Sequence, residues 1–184
     1  GATTEEDVVG LIFADQGIDL SKISGDIKIV SYLQGYGDTT TDEINAAIQA
    51  APEAFISVGM ATTFFTQQLN AAGIEFSDID SFTNGNGEAI TNGKLVYLAG
   101  KYSSSVGPAF ALVMNAINGN VIRDAQGNAV SLSQNYQVAT DSETFDKFYK
   151  NDNGDNPIYS RDTLDQIIGD TVTFDTINEV VASN

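Results

Sequence analysis

Polar chemistry in this chain concentrates in four short loops: QGYGD at 34–38, GMATT at 59–63, TNGNG at 83–87 and KYSSS at 101–105. They are rich in amides, hydroxyls and phenols and poor in formal charge. An amide carries both a donor and an acceptor, the pair that a sugar hydroxyl asks for. Tyr36 and Tyr102 offer flat apolar faces on which a pyranose ring can stack. The plainer reading is turn chemistry, since Asn-Gly and Gly-rich stretches occur wherever a chain reverses.

Other chemistries find little to work with. The chain has no His and no Cys. Ser-His-Asp and Cys-His catalysis, zinc-thiolate sites and His general bases are therefore excluded. GYG and GNG do not extend to either phosphate-binding glycine pattern. NDNGDN at 151–156 has the flavour of a calcium loop, but the twelfth position counted from Asp152 is Thr163, not Glu. Glu75, Asp78 and Asp80 are the carboxylates that a glycoside hydrolase could use. Asp78 and Asp80 stand two apart on a predicted strand, so they share one face, and the expectation is that both are solvated. The chain is read as a non-enzyme with no cofactor and no metal.

Charge narrows the partners. Lys and Arg number 8 against 25 Asp and Glu, a net charge of −17. Such a chain repels nucleic-acid phosphates and anionic membrane surfaces. No apolar run approaches a membrane span, and no signal peptide is visible. The expectation is a piece of a longer protein whose signal segment lies outside this chain.

The elements that must position the loops follow from periodicity. Thr3 with Glu6 forms a capping box, and Val8, Val9, Leu11, Ile12 and Ala14 give an apolar face, predicting a helix over 4–16 that Gly17 stops. Strands are predicted at 27–33, 54–59, 76–82 and 94–102, with further β-rich pieces AVSLS and YQVAT. Helices are predicted between them: one capped by Thr41 and ended by Pro52, one over 61–73, a short one over 87–91, and a long one starting near Val106. In that long helix Val106, Phe110, Val113, Met114 and Ile117 are expected inward. Helical pieces follow around 142–150 and in the tail. Alternating strands and helices with short connections predict an α/β fold: a doubly wound, mostly parallel sheet with helices on both faces, a Rossmann-like lobe. Residues 1–184 read as one lobe with a C-terminal helical extension at about 158–184. In open α/β sheets ligands bind at the carboxyl ends of the strands, which makes the four loops the functional edge.

The order of pieces also resembles a known family. Residues 38–74 and 78–120 are similar to the C-terminal lobe of sugar-type (type I) periplasmic binding proteins, the solute receptors of ABC transporters, and the resemblance runs from roughly Ile27 to the end of the chain. The matches are Phe82, Glu88-Ala89-Ile90, Gly93-Lys94-Leu95, Gly107, Ala111 and Asn118-Gly119. Two positions depart from the family: its Asn-Asp pair after the second strand is replaced within residues 57–62, and Thr83 stands where it has Asp. The resemblance implies an extracytoplasmic solute-binding protein, periplasmic or a cell-surface lipoprotein, that binds a sugar or another small neutral polar solute in a cleft between two lobes. It implies an N-terminal lobe and an ABC transporter permease as partners. The candidate ligand contacts are Gln34, Tyr36, Met60, Thr62, Thr83, Asn84, Asn86 and Tyr102. The alternative is a structural or interaction module that docks onto another domain without binding a ligand.

Overall fold

The computed structural model describes residues 30–31, 33, 41–59, 61–100, 103–153 and 157–183. The predicted helix over 4–16 and the loop over 34–38 lie outside them. Of the predicted first strand, Val30, Ser31 and Leu33 are described, and none of them is in a strand.

The fold is α/β. Four strands form an open, mostly parallel sheet: β1 (Phe55–Ser57), β2 (Phe76–Ile79), β3 (Leu95–Gly100) and β4 (Gln137–Ala139), in the order β1-β2-β3-β4. β1, β2 and β3 are parallel, with Phe55 opposite Phe76 and Asp78 opposite Leu98. β4 is antiparallel to β3, pairing Ala139 with Leu98. Helices alternate with these strands: α1 (Thr41–Gln49), α2 (Ala61–Phe64), α3 (Thr66–Ala72), α4 (Asn84–Thr91), α5 (Gly107–Ile117), α6 (Ser142–Asn153), α7 (Arg161–Gln166) and α8 (Phe174–Ala182).

Among the described residues two apolar clusters form the core. The first joins the sheet to α2, α3, α4 and α6 through Ala61, Leu69, Phe76, Phe82, Ile90, Leu98 and Phe145, with Ile48 of α1 packed at its margin. The ring of Phe82 meets those of Phe145 and Phe148 at centroid distances of 5.8 and 5.3 Å. Strand alternation turns Ile56, Tyr97 and Val138 away from this core, and they stay exposed. The second cluster lies between α5 and the tail, around Ala111, Ile167, Ile177 and Val181.

The structure refines several sequence expectations. The helix predicted over 61–73 bends at Phe65, which leaves helical geometry at φ −120° and ψ −11° and packs its ring 5.4 Å from Phe55. AVSLS forms no strand, because Leu132 joins the α5 cluster instead of a sheet. α4 begins at Asn84, three residues before the predicted start, although Asn and Gly are poor helix formers. Tertiary packing decides this: a Cβ on Gly87 would lie 2.5 Å from the ring of Phe145. In α5 the faces are exchanged. Gly107, Pro108, Ala111 and Asn115 are buried, while Val106, Phe110, Val113 and Ile117 are exposed and Met114 is half-buried.

Gly100 ends β3 where a Cβ would strike the main-chain oxygen of Asp80 and press on the ring of Phe82. Backbone cannot step aside cheaply, so Gly100→Ala is expected to cost about 1–3 kcal/mol in urea unfolding. Gly85→Ala, whose Cβ would find its nearest neighbour at 3.9 Å, should be neutral or gain up to ~1 kcal/mol of helix propensity. Equal losses at both positions would contradict this account.

Candidate functional site

The carboxyl ends of β1 and β2 lie side by side because the strands are parallel and paired through Ser57 and Asp78. Each leads by a short connection into a helix, so the first turns of α2 and α4 open at the same edge. Thr83 caps α4: its hydroxyl accepts the N–H of Asn86 at 3.2 Å. A cap satisfies one of the backbone donors that a helix start leaves open.

Asn86 is fully buried between the two connections. Its side-chain oxygen accepts the hydroxyl of Thr62 at 2.7 Å. Its nitrogen donates to the carbonyl of Ser81 at 2.7 Å and to Asp80 Oδ2 at 3.3 Å. One amide therefore ties the first turn of α2 to the loop before α4. Asp80 also turns its own chain, with Oδ1 accepting the N–H of Ser81 at 2.7 Å.

Asp78 performs the matching task one strand layer deeper. It is buried, contrary to the expectation of a solvated carboxylate. Its two oxygens accept the N–H groups of Gly59 at 3.0 Å and Ala61 at 2.9 Å, which fixes the path from β1 into α2. Phe76 and Asp78 alternate onto one face, so the buried Phe76 carries Asp78 inward with it. Burial pushes the Asp78 carboxyl above its ordinary value, against the opposing pull of the Ala61 and Gly59 N–H groups; the charge of Asp80 adds to the rise.

The predicted contacts separate into groups. Thr83 and Asn84 are exposed at the edge, and Thr62 is half-buried beside them. Asn86 is at the same edge but spends its amide internally, so it shapes the edge and presents no group to a ligand. Gln34, Tyr36, Met60 and Tyr102 lie outside the described residues. Sequence reasoning named Asn86 and missed the burial of Asp78 and of Ser57, whose hydroxyl donates to the carbonyl of Gly59 at 3.3 Å. Ser81 and Thr63, both exposed, add neutral hydroxyls there. Among the described residues no group of His, Cys, Asp or Glu is arranged to hold a metal ion. No helix among the described residues is long and apolar enough to cross a membrane. No protein-family model matches this chain, and neither a curated protein nor a solved structure gives a significant match.

Asn86→Ala is expected to cost about 2–3 kcal/mol, because it strands the Thr62 hydroxyl and the Ser81 carbonyl beside a small void. The loss would be read as a lower urea midpoint. Asp78 carries a sign that can be tested separately. Its folded-state pKa lies above its unfolded value, so the folded chain binds more protons in the window just above the ordinary aspartate value. Its contribution to stability is therefore fully present below that value and is lost as pH rises through the folded pKa. Asp78→Asn removes this dependence. The stability of wild type relative to the variant should fall as pH rises above the ordinary carboxylate range; a flat difference would refute the assignment.

Proposed function

We propose that this chain is one lobe of a non-enzymatic, extracytoplasmic solute-binding protein, and that it takes a sugar or another small neutral polar solute at the carboxyl edge of its sheet. The observation that carries this reading is the Thr62–Asn86–Asp80 linkage. It braces two helix starts against each other and leaves the uncharged groups of Thr62, Thr83 and Asn84 along one edge. A braced edge loses little entropy when a ligand arrives, which favours binding by few contacts. Neutral hydroxyls and amides suit a neutral polyol better than an ion. The resemblance of residues 38–120 to the C-terminal lobe of sugar-type receptors supports the same class. On this reading a second lobe closes the cleft, and a membrane permease of the ABC type receives the solute.

The rival reading is a docking module. It draws on the exposed Ile56, Tyr97 and Val138 of the sheet, which a neighbouring domain could cover.

Amide NMR of the full chain, titrated with sugars, nucleosides and amino acids to roughly 50 mM, separates the two. A half-site holds only part of the cleft, so affinity in the millimolar range, about −4 kcal/mol, is expected. Shifts should gather at residues 59–63 and 83–87 and should vanish in Asn84→Ala, whose exposed amide carries no fold contact in this account. A spectrum that no solute moves, alongside association in sedimentation equilibrium, would favour the docking module and end the solute-binding proposal.

A further inference from the structure

An asparagine followed by glycine can rearrange without an enzyme, because glycine has no Cβ to shield its backbone nitrogen. The chain holds five such pairs: Asn84-Gly85, Asn86-Gly87, Asn92-Gly93, Asn118-Gly119 and Asn153-Gly154, the last of which reaches outside the described residues. In the rearrangement the glycine nitrogen loses its proton and attacks the side-chain carbonyl carbon of the asparagine. A new carbon–nitrogen bond closes a succinimide ring, the old one breaks, and the side-chain nitrogen takes up a proton and leaves as ammonia. Water then opens the ring at either carbonyl, which yields aspartate or isoaspartate. Nothing is oxidised or reduced. A glycine N–H that is held in a hydrogen bond must first give that bond up.

The fold sorts the four described pairs. Asn86 is fully buried with its amide tied to Thr62, Ser81 and Asp80, and the N–H of Gly87 donates to the carbonyl of Thr83 at 3.0 Å. Asn92 and Asn118 are exposed, but each closes a helix. Gly93 donates to the carbonyl of Ile90 at 2.9 Å and Gly119 to that of Ala116 at 3.1 Å. The next residues, Lys94 and Asn120, donate to Ala89 and Asn115, so both turns are fastened beyond the glycine as well. Asn84 and Gly85 are exposed and open α4. The first N–H groups of a helix have no intrahelical partner, and the Thr83 cap takes the N–H of Asn86, not that of Gly85. A Cβ at Gly85 would meet nothing nearer than 3.9 Å, which leaves room for the ring to form. Electrostatics acts in the same direction. The amide anion formed at Gly85 lies at the positive end of a helix, whereas at Gly93 or Gly119 it would lie at the negative end.

We propose that Asn84 is a deamidation site of the folded chain, converting ahead of Asn86, Asn92 and Asn118. Its product places a negative charge among the neutral groups of Thr62 and Thr83, so the edge changes its chemistry as the molecule ages. No ligand takes part, and the conversion stands apart from solute binding.

The full chain, incubated at mildly alkaline pH in isotope-labelled water and sampled by fragmentation mass spectrometry, reports each conversion by site. The same chain in concentrated urea supplies the rate of each pair without the fold. The folded rate divided by the urea rate should be at least about fivefold higher at Asn84 than at Asn92 or Asn118, the factor that a hydrogen bond of ordinary net strength imposes. It should be lowest at Asn86. Gly85→Ala, which keeps the fold, should suppress conversion at Asn84 and leave Asn92 and Asn118 as they were. A ratio at Asn92 or Asn118 that equals or exceeds that of Asn84 would overturn the proposal. So would an Asn84 as protected as Asn86, or a conversion at Asn84 that Gly85→Ala does not slow.

Discussion

The carboxyl edge of the sheet depends on the demand that a buried amide spend all its hydrogen bonds. Asn86 is enclosed where two strand-to-helix connections meet, and an unpaired amide there would cost more than most single contacts contribute. It meets that demand with Thr62 on one side and Ser81 and Asp80 on the other. The local structure follows from this. α4 must start early enough to bring Asn86 inward, so Thr83 becomes its cap. Gly87 must lack a side chain, so that Phe145 can close over the turn. Helix propensity alone would have started α4 later.

Asp78 shows the same logic with a charge. Its carboxylate is withdrawn from water and given two main-chain donors at the start of α2. The bonds do not fully repay the desolvation, and this accounts for its elevated pKa. The return is geometric: the connection after β1 is held from beneath. Asp80, two residues on, remains nearer the surface and shares its oxygens between Ser81 and Asn86. Two carboxylates of one type thus become a floor and a brace. Both are committed to the backbone or to Asn86.

Much of the fold was legible from periodicity. The parallel strands at 55–57, 76–79 and 95–100 fall within the runs predicted at 54–59, 76–82 and 94–102. The tail helices are capped by Ser160 and Thr173 through the N–H groups of Thr163 and Thr176, as their Ser/Thr-x-x pattern allows. α5 was misread because its sequence offers two sides that could be buried, and bulk is the usual guide. Here the small side fits against α7, and no local rule reveals a tail that approaches so closely. Asp78 was misread although a signal existed, since alternation places it with Phe76. The candidate site was legible as a place but not as a set of contacts. Amides at a helix start look the same in sequence whether they face a ligand or a neighbouring loop, and only the burial of Asn86 separates it from Asn84.

The tail is attached to α5 in a particular way. Asn115 donates to the carbonyl of Ile167 and accepts the N–H of Gly169, both at 2.8 Å. Asn120 donates to the carbonyls of Gly169 and Val172 at 2.8 and 2.9 Å. All four partners are main-chain atoms, so this grip is indifferent to the side chains of the turn it holds. Residues such as Asp170 and Thr171 can drift over evolutionary time without loosening the join. The asparagines have no such latitude, because no other side chain of that size both donates and accepts from one flat group. A lineage could therefore rewrite the surface of this turn while the join between body and tail stays the same.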